Sequence, residues 1–161
     1  MQRVRRDQLV YAFAPDTPPV LTVTPGERFV VETCDASTGR IRAPEDLAAY
    51  LQVRDPRKVN PAGGPIAVRG AGSGDELVVT IERIGLTDQG YVRAAPGGPV
   101  LPDVEGPRAI IVRVEGDDLI YPGGIRLPAR PMVGVIGTAP ASGVVYTADP
   151  AANGSNLDCN A

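Results

Sequence analysis

Histidine and tryptophan are absent from the 161 residues, and cysteine occurs only twice. Each absence closes a class of chemistry. Without imidazole the chain holds no Ser-His-Asp or Cys-His nucleophile system and no histidine-ligated metal. Cys34 and Cys159 make no disulfide framework; two reduced thiols are what a cytoplasmic protein carries. Five tyrosines and two phenylalanines leave the core to valine, isoleucine, leucine and alanine. The net charge of −3 gives no electrostatic case for a nucleic-acid partner. The basic start MQRVRR runs into Asp7 with no apolar stretch behind it, so neither a secretory signal nor a membrane anchor is read there. No stretch reaches the length of a membrane-spanning helix.

What is present is a chain for one β domain over residues 1–161. Its 19 glycines and 17 prolines follow no period, and an apolar fraction of 43% argues against disorder. Strands are predicted over residues 9–14, 20–24, 28–33, 66–69, 76–84, 90–94, 109–114, 119–121, 124–127, 132–136 and 144–147, the run at 132–136 reading as buried. Pro25-Gly26-Glu27 is a turn that should pair residues 20–24 with 28–33 as a hairpin. The glycines of residues 70–75 lack the helix that a dinucleotide fingerprint needs and read as a hairpin loop. Helical spacing occurs once, at residues 45–53, where Leu47, Tyr50 and Leu51 follow Pro44. Many short strands and one short helix predict an all-β fold, a sandwich or distorted barrel.

Oxygen-bearing side chains gather at the C-terminal end, RPMVGVIGTAPASGVVYTADPAANGSNLDCNA. Pro150, Asn153, Gly154 and Ser155 predict an exposed irregular loop. Beyond them an extended backbone would put Asn156, Asp158 and Asn160 on one face, Leu157 and Cys159 on the other. Such a face suits a metal or a polar substrate; a polar turn capping a strand is the plainer alternative. Asp35 stands in a second polar loop, directly after a predicted strand.

Four blocks then carry a resemblance: LVYAFAPDTPPVLTVTPGERFVVETCDASTGRI, VNPAGGPIAVRGAGSGDELVVTIERI, RPMVGVIGTAP and NGSNLDC. In order and at natural spacing they resemble the acetamidase/formamidase family of amide hydrolases. The resemblance implies a jelly-roll-like β-sandwich and hydrolysis of short amides, such as formamide or acetamide, at a metal-assisted site. In the family the last block usually reads HGGN, a hydrophobic residue and Asp; here Asn153 stands where the histidine is expected. Family members also continue into a segment rich in Gly, Asp, His and Glu. The chain thus resembles the N-terminal half of such an enzyme.

Amide hydrolysis needs an activated water, a stabilised oxyanion and a proton for the leaving amine. A divalent ion, zinc first and calcium next, would supply the first two. By carry-over, Asp35 and Asp158 are the catalytic candidates, and Asp35, Asn156 and Asp158 the metal ligands. Asn160 is a weaker candidate for the metal site, and Asn156 and Asn153 are the substrate-binding candidates. Expected partners are a small amide, the C-terminal half or a second subunit, and further copies of the chain. The alternative is a non-catalytic scaffold or assembly subunit of the same fold, favoured by the missing histidine. Either way, a chain like half of a sandwich should expose an open strand edge or an apolar patch.

Overall fold

A computed structural model describes residues 1–97 and 101–160, with residues 158–160 as backbone only. In chain order the elements are β1 (Gln2–Val4), β2 (Leu9–Val10), β3 (Ala12–Phe13), β4 (Leu21–Val23), β5 (Phe29–Val31), α1 (Asp46–Val53), β6 (Ala62–Gly63), β7 (Ile66–Val68), β8 (Gln89–Ala94), β9 (Arg108–Glu115), β10 (Asp118–Ile120), β11 (Arg126–Pro128), β12 (Met132–Gly137), β13 (Val145–Tyr146), β14 (Pro150–Ala151) and β15 (Gly154–Asn160). The fold is all-β with one short helix, and its strands lie in several small sheets.

Two compact units share the chain. The first comprises Met1–Thr38, Pro56–Glu82 and Met132–Ala161. It holds five of the sheets: β1 with β5 and β4 with β7, both parallel, and the antiparallel sets β2 with β6, β3 with β13, and β12-β15-β14. Val4, Val23, Val59 and Ala62 are buried here, together with the hydroxyls of Ser37, Thr147 and Ser155. Buried hydroxyls need partners, and Thr147 and Ser155 each find one in a backbone carbonyl.

The second unit comprises Gly39–Asp55 and Arg83–Pro131. Its antiparallel sheet runs β11-β10-β9-β8. One face, carrying Ala109, packs with Ile41, Leu47 and Tyr50, and Tyr91 and Ile111 pack against this cluster. The helix forms where its apolar spacing predicts. Asp46 accepts the amides of Arg42 and Ala43, both at 2.8 Å, and so closes the turn that precedes the helix. The helix ends at Val53, where Arg54 turns to an extended conformation at φ −66° and ψ 122°, two residues before Pro56.

Several sequence expectations give way. The Pro25-Gly26 turn forms, with Glu27 N bonded to Thr24 O and Gly26 at φ +80°. The strands it joins do not pair: β4 takes β7 and β5 takes β1, both in parallel. Residues 9–14 make two short strands, β2 and β3, paired to β6 and β13 respectively. The 124–127 strand begins only at Arg126, since Gly123 and Gly124, at φ +84° and +81°, are spent in the turn. β12 is partly exposed rather than buried. Residues 76–84 belong to no strand, because no described segment pairs with them, and the glycines at 70–75 therefore close no hairpin. The cluster Pro150 to Ser155 is no irregular loop. It is a tight hairpin, with Pro150 opposite Ser155 and Ala151 opposite Gly154.

Candidate functional site

Asp35 sits just beyond β5 and caps its own loop. Its Oδ1 accepts the Ser37 amide at 2.7 Å and the Ser37 hydroxyl at 2.6 Å. Short acids favour this local bond, which turns the chain two residues on. Thr38 N then donates to Asp35 O at 2.9 Å, and Thr38 takes a left-handed φ of +62°. Its hydroxyl lies 3.2 Å from the Tyr11 hydroxyl.

Tyr11 leads across to the C-terminal hairpin. Its carbonyl accepts the amide of buried Thr147 at 3.0 Å, and the Thr147 hydroxyl lies 3.1 Å from it and 3.2 Å from Val59 O. The next carbonyl, that of Ala148, accepts Asn156 Nδ2 at 2.9 Å, while Asn156 N reaches Asp149 O at 3.3 Å. Hydrogen bonds and consecutive residues thus connect the Asp35 loop to Asn156 through Thr38, Tyr11 and Thr147. Sequence reading passed over these three, since a tyrosine and two threonines carry no local mark of a buried network.

An acceptor-only carbonyl at Ala148 fixes the Asn156 amide with its nitrogen inward. Its oxygen accepts from no described residue. Asn156 therefore offers an acceptor, suited to a substrate NH2 group or a cation and unsuited to an oxyanion. Asn153 does different work: its Nδ2 donates to Thr138 O at 2.6 Å, and its carbonyl accepts Thr138 N at 2.9 Å. The residue at the expected histidine position braces the hairpin against the end of β12.

Two neighbouring residues hold positive φ, Gly154 at +105° and Ser155 at +83°. For serine this is an unfavourable conformation. It coincides with full burial and a bond from Ser155 Oγ to Tyr146 O at 2.9 Å. Along β15 the register sets Val135 opposite Asn156 but Val133 opposite Cys159, three steps against two. That bulge breaks the alternation on which a common face for Asn156, Asp158 and Asn160 depends. The side chains of Asp158, Cys159 and Asn160 lie outside the described residues, as does the expected approach of Asp158 to Asp35. Cys34 is a free, half-buried thiol whose Sγ points at Arg6 O, 3.7 Å away. Burial pushes its pKa up, with Arg6 opposing and Asp35 reinforcing the shift.

As a metal centre the described residues fall short. Among them no three acidic, cysteine or histidine side chains converge, and the Asp35 oxygen is already engaged by Ser37. Two shallow depressions of about 370 and 210 Å³ belong to the second unit, around Tyr121 and Val112.

The β-rich fold that carries this loop and hairpin has known members. Residues 2–153 match the acetamidase/formamidase family. A predicted acetamidase/formamidase of Thermoanaerobacter tengcongensis superposes with a TM-score of 0.89 at 34% identity, covering 99% of this chain and 52% of that one. An acetamidase of Bacillus halodurans gives 0.86 at 33%, covering 98% and 53%. A formamidase of Methylophilus methylotrophus is 39% identical over 74 residues, which make up 46% of this chain and 18% of that protein. The chain belongs to the acetamidase/formamidase family, and it spans about half the length of these solved relatives.

Proposed function

We propose that the chain supplies the N-terminal part of a hydrolase that cleaves short aliphatic amides, formamide or acetamide, to ammonia and a carboxylate. Family membership across residues 2–153 carries this reading. Within it, Asn156 receives the substrate's NH2 group on its amide oxygen, and Asn153 holds the hairpin that presents it. Asp35 and Asp158 are the acids assigned to the water and the leaving amine. A divalent ion, zinc first and calcium next, would need donors beyond Asp35, Asn156 and Asp158, because two carboxylates and one amide do not complete a coordination sphere. The partners are the small amide, the polypeptide that makes up the rest of the relatives' length, and further copies of the chain. The free thiol at Cys34 fits a cytoplasmic setting, and no helix is long and apolar enough to cross a membrane.

Two observations favour a second reading, a non-catalytic assembly subunit: the chain has no histidine, and Asn153 is engaged in bracing the hairpin. Ammonia release from formamide and acetamide separates the two. The chain alone should release none. The chain joined to the remaining half of the Thermoanaerobacter tengcongensis relative should turn over, and Asn156→Ala should abolish that turnover. A stable, folded assembly without turnover favours the scaffold.

A further inference from the structure

Residues 71–82 form the barest stretch of the first unit, every one of them exposed. Within it Leu77 is 48%, Val78 80%, Val79 51% and Ile81 42% exposed. No helix, turn or bend interrupts residues 75–87, and no described residue hydrogen-bonds to the backbone of residues 76–86. Yet the stretch is tied down at both ends. Asp75 closes a turn with Gly72, accepting its amide on Oδ2 at 2.7 Å, and Glu82 Oε1 receives Arg28 Nε at 2.8 Å.

The composition of this stretch fits a strand inside a sheet rather than one at its edge. In a strand Leu77, Val79 and Ile81 would face one way, Val78 and Thr80 the other. Apolar residues on both sides mark a strand covered on both faces. Natural edge strands instead carry charge, proline or bulges, and residues 77–81 have none of these.

We propose that residues 76–82 are a strand-addition site, occupied by the polypeptide that makes up the rest of the solved relatives' length. The identity of the occupant rests on the amidase-family reading above. The open backbone has two edges. A two-fold pairing with a second copy covers one edge of each segment and leaves the other bare. An occupant with several strands of its own covers both, and the relatives contain as much chain again as the part that superposes on this one.

Hydrogen exchange at the amides of residues 78–81 tests the proposal. The probe is the remaining half of the Thermoanaerobacter tengcongensis relative, mixed with the chain or fused to it. In the chain alone these amides should exchange at nearly unprotected rates; in the assembly they should slow by roughly a hundredfold or more, as ladder amides do. Val79→Pro and Val78→Asp should leave the circular dichroism and melting of the chain alone unchanged, since both residues are exposed. Each should weaken assembly by more than about tenfold, because proline removes a ladder donor and aspartate cannot be buried unpaired. Amides that stay unprotected in a formed assembly overturn the proposal, as do protection in the chain alone with dimerisation and failure of both mixture and fusion to assemble. Protection without ammonia release sinks the amidase reading and leaves this site standing. Ammonia release with residues 78–81 unprotected does the reverse.

Discussion

Thr147 shows how much a single hydroxyl organises in this protein. It is fully buried, and its one proton is shared between Tyr11 O and Val59 O, which belong to distant parts of the chain. Thr147→Val keeps the shape and removes the donor, leaving Val59 O short of a partner. A loss of about 1–2 kcal/mol is expected in urea unfolding, while Thr147→Ser, which keeps the hydroxyl, should lose less. Equal losses for the two variants would mean that the methyl group, not the hydrogen bond, matters here. Asp35 was legible in the sequence as an acid after a strand, but its bonds to Ser37 were not. The same carboxylate can cap a loop or face a substrate, and only the backbone path decides which.

At the scale of elements, the β14–β15 hairpin depends on a close approach. A Cβ on Gly154 would strike the Ile136 carbonyl oxygen and lie 2.7 Å from Gly137 Cα, and the φ of +105° is hostile to any L side chain. Gly154→Ala should therefore cost more than about 2 kcal/mol. Gly124→Ala is the control: it too has positive φ, +81°, but its Cβ would meet nothing within 4 Å. It should cost only about 1 kcal/mol. Similar melting temperatures for the two variants would show that the close approach to Ile136 and Gly137 is unimportant.

A second prediction at this scale concerns the β9–β10–β11 sheet. Glu115 receives a hydrogen bond from Arg126 and lies beside Arg113, and both hold its carboxyl below the usual glutamate range, the Arg126 bond foremost. A lowered folded-state pKa stabilises above the unfolded value, and that contribution fades as pH falls through the folded one. The wild type should therefore lose its advantage over Glu115→Gln as pH drops below the ordinary value of about 4.3. Salt should narrow the difference already at neutral pH, because these charges are exposed. An advantage independent of pH down to strong acid would rule the ion pairs out as its source.

For the whole molecule, exposed area sets the response to denaturant. By mass scaling, a compact chain of this size would bury about a quarter more surface on folding than the 10912 Å² exposed here permits. The urea m-value follows the area exposed on unfolding. It should fall about a fifth below that of a compact domain of equal length, and recover when the complementary half is bound. An m-value already at the compact level would mean that the chain in solution covers its surplus surface by itself.

What the sequence determined by itself was local. Pro44 ahead of Leu47, Tyr50 and Leu51 specified the helix, Pro25-Gly26 the turn, and β-branched alternation most of the strands; the motif blocks identified the family. These follow from φ preferences and side-chain periodicity, which act within a few residues. Tertiary structure alone decided who pairs with whom. Backbone hydrogen bonds are the same for every residue type, so nothing in residues 20–33 says that β4 will reach past its neighbour to β7. Nor does alternation reveal the bulge that breaks the face shared by Asn156 and Asp158, or the carbonyl of Ala148 that takes up the Asn156 amide nitrogen. Residues 76–82 show the limit most clearly: they have every local mark of a strand, and a strand exists only where another backbone lies beside it.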